Sequence, residues 1–179
     1  MGLVIFVLAV IVLFMAMKPQ EVISRWHHPF DQTQFSTDEC YMVIQQCVER
    51  RQIPNTKCHR ITFLVQGILT GRREYLRITN GTYVFDICAA PYGTGFFISH
   101  WLKETKSIGE VILHRFMPFL GHKTAYQLDT ETMYRETVHR AVLEAIEQIS
   151  QPKGIRGLSE LEKQLAVNPK MMFQVKSQS

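Results

Sequence analysis

Cys88, Asp86 and His100 are the residues of this chain whose types and spacing fit a nucleophile site. A thiol, an imidazole and a carboxylate within hydrogen-bond reach form one because the imidazole lowers the thiol pKa and the acid orients the ring. Two turns bring them together. Asn80-Gly81 between alternating apolar runs signals a type I′ hairpin, since both central residues need φ above zero. That turn predicts Thr79 opposite Thr82, Arg77 opposite Val84, Tyr75 opposite Asp86 and Arg73 opposite Cys88. A second turn through Pro91 to Gly95, centred at Gly93, then sets His100 opposite Asp86 and diagonal to Cys88, on one face of two neighbouring strands. Leu76, Ile78, Tyr83, Phe85, Ile87 and Trp101 fall on the other, apolar face.

The same count supplies a competing role. Arg73 and Arg77 flank Asp86 diagonally and would hold it in a structural ion pair, leaving Cys88 a small strand residue and His100 an amphipathic edge residue. No second catalytic signature accompanies the three: the chain has no G-x-G-x-x-G, P-loop, H-E-x-x-H, G-x-S-x-G or calcium-loop pattern. The expectation is therefore an ion-paired sheet face with no catalytic residue, with Cys88, His100 and Asp86 as the candidates of an enzymatic alternative. Gly93-Thr94-Gly95 leads into a strand and lacks the helix N-terminus that binds phosphate. The seven histidines form no close zinc-finger spacing with cysteine. Neither a cofactor nor a metal is expected.

Charge narrows the partners. The net charge is +4, and residues 150 to 179 hold five cations against Glu160 and Glu162, or +3, which leaves +1 for the rest. Arg72, Arg73, Tyr75 and Arg77 mix cations with a ring, but interleaved carboxylates argue against nucleic acid. The four cysteines, Cys40, Cys47, Cys58 and Cys88, contain no C-x-x-C pair and are expected to be reduced, with Cys40 and Cys47 on one buried helix stripe. Asn80-Gly81-Thr82 reads as a turn in preference to a glycosylation acceptor.

The elements that position these residues follow from periodicity. Ser36 and Glu39 form a capping box, and Cys40, Val43, Ile44, Cys47 and Val48 repeat as the stripe of a one-sided helix that Pro54 ends. Residues 58–66 read as a strand, and the central meander runs from Arg72 to Leu102. Lys103 to Glu110 reads as a loop, Val111 to Met117 as a further strand and Thr124 to Leu128 as a short last one. Asp129 is expected to cap a second helix bearing Tyr134, Val138, Ala141, Val142, Ala145, Ile146 and Ile149. Helix, strands, then helix argues an α+β domain: an antiparallel meander sheet of about four to six strands with both helices on one face.

The first residues are a class apart. All formal charges lie after residue 17, and Gly2 to Met17 is an apolar run of 16 residues that Lys18 extends by snorkelling. Nothing basic precedes it, which disfavours a cleaved signal peptide, and Phe6 occupies the position a myristoylation motif gives to Ser or Thr. Lys18 and Arg25 place the body on the cytoplasmic side, with Trp26, His27 and His28 as possible interface anchors. The expected organisation is a transmembrane anchor over 1–18, a linker over 19–35, the α+β domain over 36–152, and a short helix with a basic, disordered tail over 153–179. These elements predict a single-pass membrane protein presenting a non-enzymatic interaction domain at the cytoplasmic membrane face, to another protein or to a further copy of itself. The alternative is a membrane-tethered hydrolase or transferase using Cys88, His100 and Asp86.

Overall fold

The computed structural model describes residues 20–65, 71–106 and 123–167. The expected membrane helix, the strand at Val111 to Met117 and the end of the basic tail lie outside these residues. Among the described residues no helix is long and apolar enough to cross a membrane. The elements in order are β1 (Gln20–Phe30), α1 (Thr37–Arg50), β2 (Lys57–Val65), β3 (Gly71–Asn80), β4 (Tyr83–Tyr92), β5 (Gly95–Thr105), α2 (Ala125–Ser150), a 3₁₀ turn (Gln151–Lys153) and β6 (Ala166–Val167).

The architecture is α+β. The six described strands form one antiparallel sheet in the order β2-β3-β4-β5-β1-β6. The segment expected to be a linker is β1, which pairs with β5 along its length, from Gln20 against Thr105 to Phe30 against Phe96. Its apolar side chains do not alternate cleanly, because a bulge between Val22 and Ser24 resets the register. Trp26 is consequently a core residue rather than an interface anchor. Gly95 is required where β1 meets β5: a Cβ there would stand 2.5 Å from the Phe30 carbonyl oxygen, closer than any side chain tolerates.

The helices keep their expected faces. Ser36 accepts from the Glu39 amide at 3.3 Å and starts α1, which buries Cys40, Tyr41, Ile44, Cys47 and Val48. α2 begins earlier than Asp129. Thr124 and Gln127 form a reciprocal capping box, so residues expected to be a short strand are the first turn of the helix. The short helix expected within 153–179 is a single turn in the described part of that segment, with the Lys163 amide bonded to the Ser159 carbonyl. The chain then extends into β6 and pairs with Ser24 and Arg25. Ile155, Leu158 and Leu165 of this C-terminal strap pack on the core.

Both helices cover one sheet face. The Tyr41 hydroxyl of α1 donates to the Glu74 carbonyl and accepts from the Ala89 amide, and the Tyr134 hydroxyl of α2 reaches the Ile78 carbonyl. Leu76, Ile78, Phe85, Ile87, Phe96, Ile98 and Leu102 meet them in a continuous core. Each fully buried side chain of this size contributes about 1.5 to 3 kcal/mol.

Candidate functional site

The face of the sheet away from the helices carries the candidate residues, and its register decides which of them meet. At the first turn Asn80 lies opposite Tyr83 and Arg77 opposite Asp86, two residues from the expected pairing. A shift of two keeps every side chain on its expected face. At the second turn Tyr92 lies opposite Gly95, which puts Asp86 opposite Trp101, Ile87 opposite His100 and Cys88 opposite Ser99. That is a shift of one, and it exchanges the faces of β5. His100 moves into the core at 0% exposure, and Trp101 moves out, 38% exposed.

Asp86 is the centre of this face, which no described helix covers and which is named the helix-free face for that reason. Arg77 holds it bidentately, Nε to Oδ1 at 2.7 Å and Nη2 to Oδ2 at 2.9 Å, and Lys103 adds a contact to Oδ2 at 2.7 Å. Burial alone would push this carboxyl up; the hydrogen bonds and charges of Arg77 and Lys103 outweigh it and hold the group below its usual range. The expected arginine pairing is present with Arg77, and Lys103 takes the second place. The Arg77 guanidinium also lies 5.5 Å over the Phe63 ring, which meets Tyr75 edge-on.

Cys88 shares this face but has no imidazole. Burial raises its pKa, and the nearby Arg73 guanidinium opposes that only in part, so the thiol is protonated at neutral pH. His100 points to the opposite side of the sheet. The three candidates therefore divide: Asp86 and Cys88 lie on one face and His100 lies behind it, with no nucleophile assembled.

On the core side His100 belongs to a group that sequence reading missed. Its Nε2 is 2.9 Å from His139 Nδ1 of α2, its ring stacks on Trp26 at 5.7 Å, and Phe85 meets it edge-on. His139 Nε2 is 2.7 Å from the Lys163 carbonyl, and Trp26 Nε1 donates to the Glu162 carbonyl at 2.7 Å. The cluster thus fastens the C-terminal strap to β1 and α2. A signal for His100 was available: Phe96, Ile98 and Leu102 alternate with it, so apolar periodicity places it inside.

The helix-free face is partly aromatic. It presents Trp101 and Phe63 to solvent, with Tyr75 and Phe97 partly exposed, around a fixed ion-paired centre. Among the described residues no group of three or more His, Cys, Asp or Glu is placed to hold a metal ion. Comparison with protein-family models, curated proteins and solved structures finds no match.

Proposed function

We propose that this chain is a single-pass membrane-anchored protein whose α+β domain is a non-enzymatic interaction module at the cytoplasmic membrane face, receiving another protein on the helix-free face of its sheet. The observation that carries the reading is the chemistry of that face. Exposed Trp101 and Phe63 surround an Asp86 charge already satisfied by Arg77 and Lys103. Aromatic residues and arginine are enriched at protein interfaces, and Trp, Tyr and Arg dominate their energetics. Location is supported by the uncharged run of residues 2–17 and the cations that follow it. Only Lys18 and Pro19 separate that run from Gln20 at the start of β1, a reach of about 10 Å, so the anchor would hold the sheet against the bilayer.

The enzymatic alternative has no observation in its favour, since Cys88 and His100 face opposite sides of the sheet. Topology is tested by adding protease to intact cells. The body should stay uncut, and its digestion from outside would overturn the orientation. Removal of residues 1–17 should release the domain from membranes; continued carbonate-resistant attachment would overturn the anchor.

A further inference from the structure

We propose that the outer edge of β2, which no described strand covers, is a homotypic interface, where two copies of this chain join β2 to β2 antiparallel about a two-fold axis through Ile61 and continue the sheet across both molecules. The inference is independent of the anchor and of a protein on the helix-free face, and each can fail without the other.

The two edges of the sheet are built differently. At one end β1 carries a bulge between Val22 and Ser24, contains Pro29 and is partly covered by β6. These devices blunt an edge against further pairing. At the other end β2 has none of them among the described strands. Its residues Lys57 to Val65 pair consecutively with β3 without a register shift, so its outer side presents a straight row of backbone donors and acceptors. Phe63 and Leu64 stand 41% and 74% exposed beside that row. Of its two fixed cations, Arg60 is already paired with Asp38 and Glu74, and Lys57 lies at the end of the strand.

The sequence of β2 selects a second copy over an unrelated strand. Antiparallel neighbours keep their faces aligned only when the two-fold axis passes through a residue. With the axis at Ile61, that residue meets its own copy, His59 meets Phe63 twice, and Cys58 meets Leu64 twice. Arg60 then lies opposite Thr62. Rings oppose rings and apolar groups oppose apolar groups, so the strand reads as a chemical palindrome. Moving the axis to Arg60 would set two guanidinium groups face to face, which is destabilising. Moving it to Thr62 would set Arg60 against Leu64. Ile61, the midpoint of Lys57–Val65, avoids both and lets the whole strand pair.

The experiment is cysteine cross-linking on the full-length chain in mild detergent, in a Cys58→Ser background. Ile61→Cys should oxidise to a covalent dimer. His59→Cys alone should not, because its copy lies about 13 Å farther along the strand; mixed with the Phe63→Cys protein, it should form a heterodimer. Light scattering of the unaltered chain should give twice the mass of 20.8 kDa. Ile61→Lys, which opposes like charges at the axis, should return it to the single-chain mass while the chain still unfolds in one cooperative transition. A single-chain mass at high concentration, or cross-linking as fast at position 59 as at 61, would overturn the proposal.

Discussion

His100 and His139 meet nitrogen to nitrogen at 2.9 Å inside the core, and the partner of the outer nitrogen fixes where their hydrogens lie. The Lys163 carbonyl only accepts, so His139 Nε2 carries a hydrogen and its Nδ1 is a bare acceptor. His100 Nε2–H then donates to it, and His100 Nδ1 is left bare, buried and without a hydrogen-bond partner among the described residues. Both rings are neutral in this arrangement. Protonating His100 would place a charge where no acceptor waits.

Acid stability follows with a definite sign. Burial first, and the neighbouring His139 second, lower the His100 pKa from 6.5 to about 3, and burial also lowers that of His139. The unfolded chain therefore binds protons that the folded chain refuses, and the stability present above pH 6.5 is lost as pH falls from there toward 3. Below 6.5 the slope from His100 approaches about 1.4 kcal/mol per pH unit, or about 2 kcal/mol between pH 7.5 and pH 5. Asp86, whose pKa is lowered from 3.8, is silent in this window. Urea midpoints at the two pH values measure the loss, and His100→Leu should shrink it. An unchanged midpoint would mean that the rings are not held neutral.

The core face is tested by contrast. Phe85 is fully buried against Tyr134 and His100, so Phe85→Ala should cost about 3 to 5 kcal/mol. Tyr75→Ala, on the helix-free face, should cost clearly less. Equal losses in chemical denaturation would contradict the assignment of faces.

How far the sequence reached depended on what each residue had to balance. α1 was legible from Ser36 to Arg50 because its cap and its apolar stripe agree. Asn80-Gly81 located the hairpin, and although the true turn is centred one residue later, between Gly81 and Thr82, both strands kept their faces. The second turn was less forgiving. With Gly93-Thr94 as a two-residue loop the register moves by one, and the site imagined from Cys88, Asp86 and His100 comes apart. β1 was hidden by its bulge and by Pro29, features that belong to a strand near a sheet edge. His139 could not be connected to His100 from sequence, since that contact exists only once α2 lies on the sheet.

Asp86 should be structural. Its charge is buried between Arg77 and Lys103, each about a fifth exposed, so Asp86→Asn leaves two cations poorly paired but able to turn toward water. The loss should be about 2 to 4 kcal/mol, below that of a fully enclosed pair. Lys103→Ala, which spares the bidentate Arg77 contact, should cost less than Asp86→Asn. Thermal melts of both variants decide the order.

Thiol reactivity separates binding from catalysis. Burial raises the pKa of Cys40 to about 12 and that of Cys58 to about 11, and it raises Cys88 as well. Cys58 is the partly exposed one of these three, so iodoacetamide should modify Cys58 ahead of Cys40 and Cys88 in the folded chain. Fast, selective modification of Cys88 at neutral pH would restore the nucleophile reading.

Site-specific photo-cross-linking in intact cells reads out whether the helix-free sheet face receives a protein. A benzophenone amino acid replaces Trp101 on that face or, as a control, Tyr126, which is 84% exposed on α2. A discrete cross-linked protein is expected from position 101 and not from position 126. Equal cross-linking at both positions, or a discrete product from position 126 alone, would contradict it.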